Sequence, residues 1–175
     1  MDGILTGVRK GDAVLAGLVT AAGVLNMVEN VRATDAAIRI DSHSWLLVPA
    51  YLAVTVPVLW RRRNLVGVLA VTATALVAHV LAFGWVTRCG SGLPLSIALA
   101  YSAGRLMRGS AAWGGLVAAL AIQFLVLVRD SSAGLGVMPA TAVMSLIAFG
   151  VGALLARRAA RPSPLDAAVA TPAGV

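Results

Sequence analysis

The sequence predicts an all-α, polytopic integral membrane helix bundle with six transmembrane helices, and three observations predict it. First, 59% of the 175 residues are hydrophobic and only 12% are charged, with a mean hydropathy of +0.90. Soluble domains are about 45–50% apolar and about 25% charged. Second, the apolar residues are gathered into long runs. Third, most basic residues flank those runs, as residues that set membrane topology do.

The clearest topological signal is the triplet Arg61, Arg62 and Arg63, which lies between two long apolar runs. Guanidinium groups are costly in hydrocarbon, so we expect this loop to lie in water beside the lipid headgroups. Basic residues in short loops stay on the cytoplasmic side. We therefore predict that the triplet determines the topology, together with Arg157 and Arg158 after the last run.

The first two apolar runs cover residues 13–31 and 44–60. No small-x-small cleavage site follows the first run, so we predict an uncleaved span rather than a signal peptide. Residues 1–12 are then a cytoplasmic amino-terminal segment. The second run contains Pro49 and Pro57, which a membrane helix tolerates where neighbouring groups satisfy the freed carbonyls.

The third run, residues 65–85, begins directly after the arginine triplet. The fourth run, residues 93–107, has only 15 residues, fewer than the roughly 17–25 that a crossing helix needs. A tilted or re-entrant segment is therefore an alternative to a full crossing at this position. The fifth run, residues 111–128, carries Gly115 and Ala119 four residues apart, a spacing that permits close contact between membrane helices.

The sixth run, residues 135–156, completes a membrane domain that we predict over residues 13–156. Residues 157–175 contain three prolines and much alanine. Such a composition buries little apolar surface, so we predict a disordered cytoplasmic tail.

The basic residues set the orientation of the six predicted spans. With the amino terminus inside, ten basic residues lie in inside segments and four in outside segments. The inside set is Arg9, Lys10, Arg61, Arg62, Arg63, Arg105, Arg108, Arg157, Arg158 and Arg161, and the outside set is Arg32, Arg39, Arg88 and Arg129. The positive-inside rule favours this orientation, with both termini cytoplasmic in a multi-pass protein of the cell membrane. The net charge of +7 then faces anionic lipid, and we expect no nucleic-acid partner.

Three polar residues in or beside the spans form our candidate intramembrane polar site: His79, Gln123 and Glu29. His79 is either a ligand, proton or pH-sensing site or a neutral imidazole that is hydrogen-bonded within the bundle. We predict that Gln123 makes a hydrogen bond across the bundle. Glu29 ends the first span and is expected to pair with Arg32, three residues later.

A second interpretation of Glu29 is an outward-facing cation site shared with Asp35, Asp41 and His43. Their spacing matches no tight metal-binding motif, so we predict neither a metal nor a cofactor. Cys89 is the single cysteine of the sequence and permits no intramolecular disulfide.

The sequence also lacks the motifs of the commonest catalytic sites. It contains no phosphate-binding loop, no Gly-x-Ser-x-Gly nucleophile elbow and no His-Glu-x-x-His motif. Its two histidines, His43 and His79, stand far apart in the chain. We therefore predict that the protein is not an enzyme and has no catalytic residues.

Three stretches resemble one known family. Residues 57–71, beginning Pro-Val-Leu-Trp-Arg-Arg-Arg-Asn, resemble a run in the amino-terminal membrane regions of actinobacterial sensor histidine kinases. Residues 99–105, Leu-Ala-Tyr-Ser-Ala-Gly-Arg, are similar to a later stretch of those regions. Residues 154–158 repeat the basic cluster that ends their last span. The similarity extends over roughly residues 10–160.

The resemblance implies a membrane sensor region involved in signal transduction. In that family the last span leads to a helix with a phosphoacceptor histidine and then to an ATP-binding domain. Residues 159–175 contain neither a histidine nor a glycine box, so we expect no phosphotransfer. We predict a stand-alone sensor-like or accessory module that acts with a membrane protein partner or as a homo-oligomer. The alternative is a small transporter or channel subunit that acts as an oligomer, with prolines marking broken helices.

Overall fold

The computed structural model describes residues 8–34 and 37–160. In this part of the chain the regular elements are all helical, which confirms the predicted all-α class. Two short 3-10 segments, Val56–Trp60 and Leu135–Val137, accompany the longer helices. The α-helices of the described residues are α1 Lys10–Arg32, α2 Leu47–Thr55, α3 Leu65–Phe83, α4 Cys89–Leu106, α5 Gly109–Leu127 and α6 Met138–Ala159.

Four helical segments of the described chain are long and apolar enough to cross a membrane: Lys10–Arg32, Leu65–Phe83, Gly109–Leu127 and Leu135–Ala159. Only 17% to 44% of the residues in their most apolar windows are buried inside the protein. Large apolar side chains instead cover their outer faces. Examples are Leu18, Leu81, Val117 and Ile147, each more than half exposed. An outward-facing apolar surface on this scale is suited to lipid. Length and apolarity alone support four of the six predicted spans.

The second predicted span is not one continuous α-helix. Pro49 lies in the first turn of α2, where its missing N–H has no intrahelical partner to lose. Pro57 ends the α-helix at Thr55, because its ring would clash with the carbonyl four residues earlier. The chain continues as the 3-10 segment Val56–Trp60. The nine α-helical and five 3-10 residues together measure about 24 Å.

The fourth predicted span is longer than the sequence indicated. The helix begins at Cys89 rather than Leu93 and contains 18 residues, or about 27 Å. The residues before Leu93 are helical because the Asp130 carboxylate accepts the backbone N–H groups of Arg88 and Cys89, at 2.5 and 2.8 Å. A side chain from the α5–α6 connection thus caps this helix. The residues around Cys89 give no sequence signal for such a cap.

α4 is the central helix of the bundle and contacts α1, α3, α5 and α6. Small residues make these contacts possible. Gly115 on α5 lies against α4, since a Cβ there would come within 2.8 Å of the Cβ of Ala103. Ala119 is fully buried one turn later. The close contact that the Gly115–Ala119 spacing permits is present.

The closest approach is between α4 and α6. A Cβ added at Gly104 would overlap the carbonyl oxygen of Phe149, and one added at Gly152 would overlap the carbonyl oxygen of Tyr101. Backbone therefore contacts backbone at this crossing, as only small residues allow.

The connections between helices gather at two opposite ends of the bundle. At one, which we call the Arg88 end, Asp41 before α2 contacts Trp85 after α3, and Val86 pairs with Asp130 after α5. At the other, the Asp12 end, the start of α1 contacts Arg61 after α2.

The predicted tail requires one correction. Helix α6 continues to Ala159, so residues 157–159, which we predicted to be disordered, are helical. Residue 160 follows as a turn, and residues 161–175 of the predicted tail lie outside the described residues, as do residues 1–7 of the predicted amino-terminal segment.

Candidate functional site

The most unusual feature of the structure is a fully buried arginine, Arg88, in the connection between α3 and α4. Its guanidinium donates to the backbone carbonyls of Gly84 at 2.7 Å and Arg129 at 2.9 Å. It also donates to Nδ1 of His79 at 3.2 Å. The sequence predicted Arg88 only as a charge in an outside segment and did not predict its burial. Nothing in its immediate sequence distinguishes it from the exposed Arg129.

A buried carboxylate, Asp130, lies beside Arg88. Its Oδ2 caps α4, and its Oδ1 accepts the backbone N–H groups of Ser132 and Ala133 at 3.0 and 2.8 Å. Burial lowers the pKa of Arg88 to about 10, and the charge of Asp130 opposes that shift. The guanidinium is therefore protonated at neutral pH. The pair holds the ends of α3, α4 and α5 together.

His79 is buried where α2, α3 and α4 meet. Because its Nδ1 accepts the Arg88 hydrogen bond, a neutral ring carries its proton on Nε2. Nε2 lies near the Leu47 backbone, a weak acceptor for it, and makes no well-formed hydrogen bond with a described residue. The ring packs against Tyr51 at 5.4 Å and Phe83 at 4.8 Å between centroids. The sequence left two interpretations of His79 open, a ligand or proton site and an imidazole that is hydrogen-bonded within the bundle. The structure contains such a hydrogen bond, and its donor is Arg88.

Tyr51 extends the buried contacts around Arg88 and His79 toward α1. The Ser91 hydroxyl on α4 donates to the Tyr51 hydroxyl at 2.9 Å. A Cβ at Gly23 on α1 would lie 2.8 Å from the Tyr51 ring, so α1 and α2 are in close contact here. The buried network formed by Tyr51, His79, Arg88, Ser91 and Asp130 thus joins α2, α3 and α4 to the α3–α4 and α5–α6 connections at this end; we call it the Arg88 network.

Asn30, near the end of α1, binds the α3–α4 connection at the Arg88 end. Its side chain accepts from the Thr87 backbone N–H and donates to the Thr87 carbonyl, each at 2.8 Å. The His43 ring lies 2.9 Å from the Asn30 carbonyl. These contacts order the connection between α1 and α2 against the connection between α3 and α4.

The structure does not assemble the alternative cation site around Glu29. Glu29 is exposed, and no ion pair among the described residues involves it, so the predicted pair with Arg32 is absent. Asp41 instead binds the Trp85 N–H and the Arg39 guanidinium, which hold its pKa below the usual value. Asp35 lies outside the described residues. Within those residues, no group of three His, Cys, Asp or Glu is placed to hold a metal.

Gln123 joins α5 to α6 and lies apart from the Arg88 network. It is fully buried. Its Oε1 accepts from the Ser145 hydroxyl at 2.8 Å, and its Nε2 donates to the Thr141 hydroxyl. The predicted hydrogen bond across the bundle is confirmed. The three candidate polar residues therefore occupy three separate places rather than one shared site.

At the opposite end, Asp12 binds two residues of the arginine triplet. Arg61 approaches Asp12 at 2.9 Å and the Ser102 hydroxyl at 3.3 Å, and Arg62 approaches Asp12 at 2.7 Å. The Arg61 side chain is only 10% exposed, so our expectation that the whole triplet lies in water is wrong for Arg61. Arg63 is exposed, as are Arg157 and Arg158. Asp12, Arg61, Arg62 and Ser102 form what we call the Asp12 cluster.

No protein family model, curated protein or solved structure matches this chain. The resemblance to the membrane regions of sensor histidine kinases therefore stays a hypothesis. The functional argument depends on the geometry of the Arg88 network and the Asp12 cluster.

Proposed function

We propose that the chain is a six-span protein of the cell membrane that acts as a sensor-like or accessory module through contacts with a membrane protein partner. One observation carries this proposal: α4 connects the two buried polar groups. Cys89 and Ser91 at its start belong to the Arg88 end, and Ser102 near its end contacts Arg61. A rigid helix of about 27 Å that contacts both ends is suited to couple them.

The closed interior favours a role in coupling the two ends of the bundle over a catalytic role. Leu99, Ala100, Ala103, Ala119 and Ile122 are fully buried where α4 meets α5. Among the described residues, the buried side-chain nitrogen and oxygen atoms without a partner are Asn26 Oδ1, His79 Nε2 and Ser131 Oγ. Side chains already bound to each other offer few groups to a substrate, whereas they hold neighbouring helices in fixed positions.

Six crossings and a cytoplasmic Asp12 end are part of this proposal. The α2 segment and α4 measure about 24 and 27 Å, close to the roughly 30 Å of a bilayer core. Buried Arg88 adds no surface charge to its end, where the exposed basic residues are Arg32, Arg39 and Arg129. The excess of exposed arginine therefore lies at the Asp12 end, as the positive-inside rule requires of a cytoplasmic face.

Cysteine labelling tests the six crossings. In a Cys89→Ser background, we expect Thr34→Cys to react with a membrane-impermeant maleimide on intact cells. Ser110→Cys and Ala160→Cys should react only after the membrane is permeabilised, because both lie at the Asp12 end. Reaction of Ser110→Cys from outside would show that α4 does not cross, and the six-span arrangement would be wrong.

One observation favours the second candidate, a small transporter or channel subunit that acts as an oligomer. Helix α2 is discontinuous at Pro57, and His79 is buried inside α3. Broken helices with polar groups near the membrane midplane are typical of transporter binding sites.

Purification from the native membrane in mild detergent separates the two candidates. For the proposed module, we expect a second membrane protein or a signalling protein to co-purify in a fixed ratio. Arg88→Lys, which disturbs the Arg88 network, should reduce that ratio, whereas the exposed control Arg129→Lys should not. Recovery of a homo-oligomer alone, with solute flux in proteoliposomes that His79→Ala abolishes, would overturn the module in favour of the transporter.

A further inference from the structure

A cavity of about 440 Å³ opens between α4, α5 and α6 at the Asp12 end. Arg108 precedes α5 and Arg157 lies in the last turn of α6, and both line it. The walls are otherwise mainly apolar and include Trp113 and Phe149, whose rings lie 5.1 Å apart. We call this space the Arg108–Arg157 cavity.

The cavity is positively charged and contains no compensating acid. Its lining includes no aspartate or glutamate. Arg108 and Arg157 are exposed, and neither forms an ion pair among the described residues. The Arg108 side chain also leaves the first amides of α5 uncapped, which adds partial positive charge to the same place. Two guanidinium groups with free donors are suited to a phosphate group.

Two other cavities differ in this respect. The groove of about 730 Å³ between α1, α4 and α6 has Arg61 in its lining, but Asp12 and Ser102 already bind that side chain. The groove of about 450 Å³ between α3 and α5 is lined by apolar residues and carries no charge. Only the Arg108–Arg157 cavity, of these three, joins unpaired cations to an apolar wall.

We propose that the Arg108–Arg157 cavity binds the phosphate headgroup of an anionic phospholipid from the cytoplasmic leaflet. The two arginines contact the phosphate, and the acyl chains lie along Trp113 and the outer face of α6. That leaflet supplies the anionic lipid, and a tryptophan at the headgroup level is typical of membrane proteins. This inference rests on the membrane orientation proposed above.

Fluorescence quenching tests the proposal with Trp113 as the only tryptophan, after Trp45→Phe, Trp60→Phe and Trp85→Phe. The protein is placed in phosphatidylcholine vesicles and titrated with dibrominated phosphatidylglycerol or dibrominated phosphatidylcholine. We expect stronger quenching by the anionic lipid. Replacing Arg108→Gln together with Arg157→Gln should weaken its apparent affinity roughly 25-fold, since each lost charge-assisted contact with the phosphate is expected to reduce the affinity roughly five-fold.

The matched control is Arg63→Gln with Arg158→Gln, which removes the same charge from the same end but outside the cavity. It should leave the affinity within about two-fold of the parent, because neither side chain lines the cavity and the charges of exposed groups that do not contact the phosphate are largely screened. Arg108→Lys with Arg157→Lys keeps both charges and should restore most of the binding, which excludes misfolding as the cause. Equal losses in the cavity pair and the control pair would overturn the site, as would equal quenching by both lipids.

Two further measurements complete the test. The first asks whether the bound phosphate belongs to a lipid headgroup or is free, and the second asks whether the protein resides in the membrane at all. If millimolar inorganic phosphate shifts Trp113 emission in detergent, and the Arg108→Gln, Arg157→Gln variant abolishes the shift, the site takes a free phosphate and the lipid proposal fails. Resistance to alkaline extraction tests membrane residence by itself. An extracted protein would contradict the proposed function, whereas a resident protein without preference for phosphatidylglycerol would contradict only the lipid site.

Discussion

Gly104→Ala is expected to lower the free energy of unfolding by more than about 3 kcal/mol, at or beyond the upper end of ordinary overpacking. The added methyl group would overlap the carbonyl oxygen of Phe149, which is a backbone atom on α6. A flexible side chain can turn away from such a contact, but a helix backbone can only move as a whole. α4 and α6 would therefore separate, and the small-residue contact that joins them would be lost. Unfolding in mixed detergent micelles, followed by circular dichroism, measures the effect.

Gly150→Ala is the matched control, because it places the same methyl group on α6 with nothing within 4 Å. Alanine is favoured over glycine in helices by up to about 1 kcal/mol, so this variant should be as stable as the parent or more stable. Gly152→Ala should resemble Gly104→Ala, since its methyl group would meet the Tyr101 carbonyl oxygen. The double variant should lose less than the sum, because separation of the helices relieves both overlaps. A Gly104→Ala protein as stable as Gly150→Ala would contradict the α4–α6 contact.

The helical class and the helix positions were predictable from the sequence because they depend on composition and on runs of apolar residues. The predicted runs at 13–31, 65–85 and 111–128 correspond to α1, α3 and α5 within a few residues. Apolar residues face lipid as well as the interior, so long runs are the dominant pattern. The effect of Pro57 was not predictable in detail, since a membrane proline is compatible with either a kink or a break.

The start of α4 was missed because it depends on a contact that is distant in sequence. Residues 89–92, Cys-Gly-Ser-Gly, have the local composition of a turn. They form a helix because Asp130, about forty positions later, caps it. The crossing of α4 and α6 at Gly104 and Gly152 was missed for a similar reason. Glycine is frequent in this chain, and the sequence does not reveal which glycines contact another helix.

The burial of charged residues was the least predictable feature. Arginines in short loops were interpreted as topological signals, and this stays a prediction for Arg63, Arg157 and Arg158, which are exposed. Arg61 and Arg88 instead have protein partners inside the bundle. The pairing of Arg61 with Asp12 joins residues 49 positions apart, so no local spacing indicates it. The distribution of arginines along the sequence therefore does not reveal which of them are exposed and which bind protein groups inside the bundle.

Arg88→Leu should lower the free energy of unfolding by about 3 kcal/mol or more, because it leaves buried polar groups without partners. The carbonyls of Gly84 and Arg129 would lose their donor, and so would Nδ1 of His79. Removing a buried guanidinium also removes the cost of its burial, which offsets part of the loss. The balance remains unfavourable because several acceptors, and not one, lose the donor that a fully buried side chain supplies.

Two variants calibrate this result in the same unfolding assay. Arg88→Lys retains the charge, but one ammonium group lacks the planar fork that reaches three separate acceptors, so its stability should be intermediate. Arg129→Leu removes an exposed charge at the next connection and leaves its backbone carbonyl available, so it should change stability by less than about 0.5 kcal/mol. Equal stability of Arg88→Leu and Arg129→Leu would show that the Arg88 network does not stabilise the bundle.

His79→Phe decides whether the imidazole serves Arg88 or a ligand. If His79 is present as an acceptor for Arg88, the double variant Arg88→Leu, His79→Phe should lose less stability than the sum of the single variants, because no unpaired Nδ1 remains. We expect a coupling of about 1 kcal/mol, the size of one buried hydrogen bond. Additive losses would mean that the two side chains act independently, and His79, whose Nε2 makes no well-formed hydrogen bond, would then be a ligand-binding candidate. The coupling between these residues therefore bears directly on the choice between a coupling module and a transporter.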